Sequence, residues 1–502
     1  MRRYLMVATI LAVLLLAVDV GASALPMAKI TVNVSELGKE IPAGFAGFSI
    51  EVHSTVNRYL GPASDPNLVF YQLLENLGKG TLRIGGNSTD ESCWDPARAP
   101  VPQGCQFVIR PDGLAGFMKA SAATGWGLIV GVNLAQDSAS WAEEYGQAVV
   151  RAARAVHGSN VVAFEFGNEP DAFPNHKLYD HHFARPASFS VSELAKEWKS
   201  YASAFRSNPL TAPVPIAGPA ICCKFIRIRS SLGEFLSDVG HKDLNLVTVH
   251  NYPLTHCGGK RPTIAQLLTP TLMQSAAEEA RRLAVVAHHA GFPIQLGETN
   301  SISCQGLNGV SNVFAETAWA LDYMFINFQA GMKALNFHDG GYTPGRGDYY
   351  YDADQIDAEK MADGKVIYHN HVWPLYYAMY AFSRKAEGGR LLPVTASSQA
   401  NVAAYAVRSS ARGPVTVFVI NKDLRASGDV SVRLSAKMGS ARLLVIRAPS
   451  LTSRAVTYGG VRFSNQTGKL AGEPRTQTID PGARGRYEFH LPVAAIGILT
   501  IG

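Results

Sequence analysis

Two glutamates stand where an apolar run gives way to polar residues: Glu169 in Phe164-Glu165-Phe166-Gly167-Asn168-Glu169-Pro170 and Glu298 in Ile294-Gln295-Leu296-Gly297-Glu298-Thr299-Asn300. A pair of carboxyls is the equipment for cleaving a glycosidic bond with retention. One protonates the leaving oxygen while the other attacks the anomeric carbon, and the two lie about 5 to 5.5 Å apart. Asn168, next to Glu169, is suited to a hydrogen bond with a sugar 2-hydroxyl, a contact that strengthens in the transition state. Glu165 serves as an internal control. Strand alternation points it the same way as Glu169 but one layer deeper, which predicts a buried structural carboxylate.

Residues so far apart in sequence meet only if the fold brings them together. From Gly44 onward, short β-branched or aromatic runs alternate with longer amphipathic stretches. The strand-like runs are 45–52, 81–85, 127–134, 161–167, 214–219, 244–250, 293–297 and 334–338. Helical patterns fall between them at 68–77, 112–123, 138–156, 190–205, 230–239, 270–290 and 310–329, with a last one near 372–382 after a long Tyr/Asp/Gly-rich loop at 339–364. Eight such units are the number that closes a (β/α)8 TIM barrel, whose strand C-termini share one catalytic face. Glu169 ends the fourth strand and Glu298 the seventh. After about Glu387 the pattern turns to period two, with strands expected at 400–407, 414–421, 430–434, 441–448 and 491–500. The prediction is a barrel over 44–386 with a second, smaller all-β (β-sandwich) domain built from 25–43 plus 387–502.

At 502 residues and 47% hydrophobic, the chain can bury a large core and exceeds what one core usually organises. Residues 1–24 read as a secretory signal: Arg2 and Arg3, an apolar stretch from Leu5 to Val18, and Ala22-Ser23-Ala24 as a cleavage site. The expected location is therefore secreted or periplasmic, with no membrane attachment once the signal is cleaved. A net charge of +6, without Lys/Arg blocks, argues against nucleic acid and favours an acidic substrate. Six cysteines in an exported chain predict disulfides, with Cys93 and Cys105 the first choice because they bracket a short Pro-rich loop. No CxxC pair occurs, so neither a metal site nor a cofactor is expected.

The same residues carry a resemblance. Asn168-Glu169-Pro170 with Glu298 resembles the clan A glycoside hydrolases. Arg83-Ile84-Gly85-Gly86-Asn87-Ser88-Thr89-Asp90, Gly297-Glu298-Thr299-Asn300-Ser301, Leu335-Asn336-Phe337-His338 and Pro374-Leu375-Tyr376-Tyr377 are similar to glycoside hydrolase family 79, the β-glucuronidase and heparanase family. That resemblance implies Glu169 as acid/base and Glu298 as nucleophile. It implies Glu51, Asn87, Asp90 and Asn168 around the sugar hydroxyls, and Tyr252 as a hydrogen-bond donor to the nucleophile. In the family a tyrosine and backbone amides of the loop after the nucleophile bind the uronate. Here that loop has no tyrosine, leaving amides between Ser303 and Gly309, with Tyr342 and Arg346 from the next loop.

The implied activity is a retaining, exo-acting β-glucuronidase whose partner is a glucuronic-acid-containing oligosaccharide or glycoconjugate. Endo-acting, heparanase-like cleavage and another clan A β-glycosidase are the alternative enzymes. A carbohydrate-binding protein on a hydrolase scaffold is the non-enzymatic one, and the presence of both glutamates argues against it.

Overall fold

A computed structural model of the chain describes residues 27–97, 105–136, 138–175, 183–223, 225, 230–343, 347–482 and 485–502, the side chains of Val56, Tyr342, Thr343 and Asp348 excepted. The predicted signal, 1–24, lies outside the described residues.

Eight parallel strands close into a barrel: β1 (Ala46–Glu51), β2 (Thr81–Gly85), β3 (Gly127–Val132), β4 (Val161–Phe166), β5 (Ile216–Ile221), β6 (Leu246–Asn251), β7 (Ile294–Thr299) and β8 (Leu335–Asp339). They pair in chain order, and β8 returns to β1 in the register Leu335↔Ala46 through Asp339↔Ile50. Most strand positions are apolar because both faces are covered: every residue of β3, Gly-Leu-Ile-Val-Gly-Val, is buried.

One helix follows each strand: α1 (Leu68–Leu77), α2 (Pro111–Thr124), α3 (Ala139–Ala155), α4 (Val191–Ser207), α5 (Ser231–Asp243), α6 (Pro270–His289), α7 (Phe314–Ala330) and α8 (Pro374–Lys385). Their boundaries are written locally. Ser190 and Glu193 form a capping box on α4, and Ser138 and Asn67 cap α3 and α1. Pro stands at the first turn of α2, α6 and α8.

The second domain is a sandwich of two sheets. Ala28–Val32 lies between Val394–Ser398 and Gly428–Leu434, with Arg486–Leu491 beyond. The facing sheet is centred on Val415–Asn421, Ala495–Ile501 and Ala441–Arg447. Ile30, Val432 and Phe489 from one sheet pack with Val417, Leu443 and Leu499 from the other. Helix α7 is the junction, and every residue of it except Gln329 is buried. A helix apolar all round needs cover on all sides. Here Phe325 stacks on Tyr405 of the sandwich, ring centroids 4.3 Å apart, while Asp322 pairs with Lys422 and accepts from the Tyr405 hydroxyl.

The loop after β8 differs from expectation. Instead of an irregular segment it holds a hairpin, Asp354–Lys360 against Val366–Val372, turning at Asp363-Gly364. Asp-Gly is a strong turn signal, overlooked because the surrounding Tyr/Asp/Gly composition reads as loop. Strands at Arg390–Leu392, Val394–Ser398 and Arg486–Leu491 were also not anticipated. Pro393 divides the first two, and the alternation of Arg486-Tyr487-Glu488-Phe489-His490-Leu491 was the available sign of the third. Cys93 and Cys105 are disulfide-bonded. Among the described residues no helix is long and apolar enough to cross a membrane.

Candidate active site

Glu298, near the end of β7, is buried among donors. Its Oε2 accepts from Arg83 Nη1 at 2.9 Å and from the Ser49 hydroxyl at 3.4 Å, and its Oε1 accepts from the Tyr252 hydroxyl at 2.8 Å. His338 Nε2 stands 3.9 Å and His250 Nδ1 4.0 Å away. Burial by itself would raise this carboxyl. The charges of His338 and Arg83 and the Tyr252 hydrogen bond outweigh it and hold Glu298 well below the usual carboxylate range.

Glu169 is placed in the opposite environment. It follows β4 in a left-handed backbone conformation, φ 50°, uncommon for a residue with a side chain and retained where surroundings enforce it. Its N–H donates to the Ala220 carbonyl at 3.1 Å, tying the end of β4 to that of β5. Its Oε1 is 3.0 Å from His250 Nδ1. Burial, with the nearby charges of Glu298 and Asp171, pushes the Glu169 carboxyl well above its ordinary range. Burial also brings His250 down to about 4, so the imidazole is neutral at physiological pH and does not offset that push. Carboxylate oxygens of Glu169 and Glu298 come within 4.8 Å of each other.

Arg83, on β2, organises the floor beneath them and was not nominated from sequence. Its guanidinium reaches Glu165, Glu298, the Ser49 hydroxyl at 2.8 Å and Asn168 Oδ1 at 2.9 Å. The signal was present, because an arginine inside the apolar run Thr-Leu-Arg-Ile-Gly must find anionic partners if the strand is buried. Glu165 is fully buried, held by Arg83 and by the Thr248 hydroxyl at 2.6 Å, as its place one layer down requires.

Glu51, Asn87 and Tyr252 line the cleft. Glu51 accepts from the backbone N–H groups of Asn87 and Ser88 at 3.2 and 2.9 Å and from the Ser88 hydroxyl. Gly86 makes this approach possible: its φ is +73°, and a Cβ there would fall 2.3 Å from the Glu51 carboxyl carbon. Asn168 donates to Asn87 Oδ1 at 3.0 Å.

Asp90 departs from its expected place on the sugar-facing rim. It is buried, and its oxygens accept from Leu134 N–H at 2.8 Å, Ala135 N–H at 3.1 Å and Asn168 N–H at 2.7 Å. A carboxylate satisfied by three backbone amides positions the loops after β3 and β4 instead of meeting a ligand.

The residues nominated for the uronate fare differently again. Arg346 and the Tyr342 side chain lie outside the described residues. Of the amides nominated between Ser303 and Gly309, those of Gly306, Leu307 and Gly309 already donate to Ile302 O, Ser311 Oγ and Asn312 Oδ1. The cleft wall from this side includes Tyr349, Tyr351 and His338. Tyr351 bonds His338 Nδ1 at 2.7 Å, and His338 Nε2 is 3.5 Å from Glu51, which with Glu298 raises the imidazole above its usual value against burial. The run Tyr349-Tyr350-Tyr351 was the available sequence signal.

The cleft has a volume of about 1530 Å³ and runs from Glu51 and Tyr349 past the two glutamates to Lys260, Arg261 and Arg282. A disulfide between Cys257 and Cys304 joins the loops after β6 and β7 along it. Glu169, His250 and Glu298 offer atoms close enough to hold a metal ion. The Arg83 guanidinium is already the counter-charge of Glu298, and a second cation there would meet its repulsion.

Residues 404–496 match the glycosyl hydrolase family 79 C-terminal beta domain. Over 323 residues the chain is 27% identical to a β-glucuronidase of Aspergillus niger, covering 59% of this chain and 58% of that protein. It is also 27% identical over 351 residues to a β-glucuronidase of Neurospora crassa, covering 62% and 60%. These matches support glycoside hydrolase family 79. The chain spans about three fifths of the length of the curated relatives it matches. Among solved structures, a 4-O-α-L-rhamnosyl-β-D-glucuronidase from Fusarium oxysporum superposes with a TM-score of 0.71 at 17% identity, over 94% of this chain and all of that one. A family 51 arabinofuranosidase from Xanthomonas axonopodis gives 0.71 at 14%, over 95% and all of it. At those identities the likeness is one of fold, and it spans barrel and sandwich together.

Proposed function

We propose that the protein is a retaining, exo-acting β-glucuronidase. The carrying observation is the pair of carboxyls within 4.8 Å, one held ionised and the other held protonated. An inverting pair needs room for a water between its members, at about 6.5 Å or more. In the proposed reaction a Glu298 oxygen attacks the anomeric carbon as Glu169 gives its proton to the departing oxygen. Loss of the negative charge on Glu298 in the glycosyl-enzyme then lowers Glu169, which takes a proton from water as that water releases the sugar. Arg83 and Tyr252 fix the attacking carboxylate, while Glu51, Asn87 and Asn168 are proposed for sugar hydroxyls.

The glucuronide substrate rests on the two β-glucuronidase relatives, with Tyr342 and Arg346 proposed at the uronate. Three disulfides fit the proposed exported location. Turnover of an aryl β-glucuronide beside the matching β-glucoside, β-xyloside and β-galactoside, with proton NMR of the first-formed anomer, tests the reading. A β-anomer from the glucuronide is expected, and comparable rates on the neutral sugars would defeat the substrate while leaving the mechanism.

The volume of the cleft favours one second reading, endo-acting cleavage, because about 1530 Å³ exceeds the roughly 300–1000 Å³ of ordinary ligand pockets. Internal cuts in a uronate-containing polymer, seen as a fast fall in its mean length, would select it.

A further inference from the structure

Cys222 and Cys223, adjacent in the loop after β5, are joined by a disulfide and line the cleft. Their two sulfurs and a Glu169 carboxylate oxygen all lie within 4.8 Å of one another. The pair is held firmly. Asp171, fully buried two residues beyond Glu169, accepts from Cys222 N–H at 3.0 Å, Cys223 N–H at 2.8 Å and Phe225 N–H at 2.9 Å. Together with the Glu169–Ala220 backbone bond, this makes the carboxyl and the disulfide parts of one unit spanning the ends of β4 and β5.

Position says which part of a substrate this unit meets, given the reading of Glu169 as acid/base. A proton donor lies beside the oxygen it protonates, so its immediate neighbours face that oxygen and the group beyond it. Glu51, Asn87 and His338 come from β1, β2 and β8, which places the glycon on that side. In an eight-stranded barrel β5 lies across from β1, on the leaving-group side. A disulfide between neighbouring residues closes a small ring of sulfur and carbon with no strong hydrogen-bond donor, and divalent sulfur is soft and polarizable, suited to contact with a ring face. Ala172 and Asn175 extend the same wall.

We propose that the Cys222–Cys223 disulfide is the ledge of a leaving-group subsite that receives the apolar face of a ring, either sugar or aryl. Replacing both cysteines by serine in the full-length protein tests it, with kcat/KM measured on phenyl β-glucuronide, on glucuronosyl-β-glucose and on methyl β-glucuronide. The ring-bearing substrates should lose about 3- to 10-fold more than the methyl one, the range expected for a sulfur–ring contact. A larger loss on the disaccharide identifies a sugar as the occupant, and a larger loss on the phenyl compound an aryl group. Equal loss on all three would overturn the ledge.

Should the double variant not fold, crystals of Glu169→Gln soaked with phenyl β-glucuronide decide instead. The phenyl ring should lie within about 4 Å of the sulfurs, and a ring turned to the Lys260–Arg261 wall would overturn the proposal. Failure of the glucuronidase reading looks different: the wild type would be silent on every glucuronide. The comparison then runs on the phenyl and methyl forms of whichever β-glycoside it cleaves, because the argument concerns the leaving group.

Discussion

The ends of β4 and β7 present the same functional group to the same cleft and treat it in opposite ways. At β7 an arginine, a tyrosine hydroxyl and two imidazoles converge on Glu298; at β4 Glu169 has a neutral histidine, a backbone carbonyl holding its N–H, and two carboxylates nearby. Glu298 is buried and Glu169 half-buried, so exposure alone would leave Glu298 the higher of the two. The placement of fixed charge reverses that order, and Arg83, Glu165 and Asp171, all buried, set that placement from below. Chemical role here is a property of surroundings, not of residue type.

The contrast breaks most visibly if the ionised member is neutralised. Glu298→Gln should lower kcat by on the order of 10⁴ to 10⁶ on every substrate, as loss of a covalent nucleophile does elsewhere. Azide rescue giving the inverted azide would confirm the role; rescue with retained configuration would exchange the two glutamates. Glu169→Gln should cost about 10² to 10⁴ on substrates with poor leaving groups and far less on activated aryl glycosides, with loss of the alkaline limb of the pH–rate profile. A uniform loss would mean that proton donation is not its work.

Tyr252→Phe should remove about 10- to 100-fold in kcat/KM, the range for a hydrogen bond to a charged group, and move the acid limb upward as Glu298 loses a donor. An unmoved acid limb would reduce Tyr252 to shaping the pocket.

Stability gives the smallest and sharpest comparison. Glu298 is lower in the folded protein than in the unfolded chain, so its contribution is present above the ordinary carboxylate range and lost as pH falls through its folded value. Glu169 is raised, so its contribution runs the other way: folding is weakened as pH rises from the ordinary carboxylate range through its folded value. At neutral pH Glu298→Gln should therefore destabilise the fold and Glu169→Gln stabilise it, each by about 1–3 kcal/mol and seen as opposite shifts in Tm, the differences shrinking in acid. Shifts of the same sign in thermal melts would dissolve the contrast.

Much was legible in sequence because it is local. Apolar runs between capped helices marked out the barrel, since burial on both faces makes most strand positions apolar. Glu169 and Glu298 were visible because each ends such a run. What escaped depended on contacts across the barrel. Asp90 looks like a rim carboxylate until Leu134, Ala135 and Asn168 are seen to occupy it. Arg83 looks like one more charge until four partners from other strands surround it.

The sequence by itself determined that two carboxyls would stand at the mouth of one barrel, because strand length, alternation and turn residues act over a few neighbours. The tertiary structure alone decided which carboxyl is held low and which is pushed up. That difference depends on electric fields from Arg83, His338 and Asp171 and on the shared low-dielectric floor. Such fields are set by distance in space, which no spacing along the chain encodes.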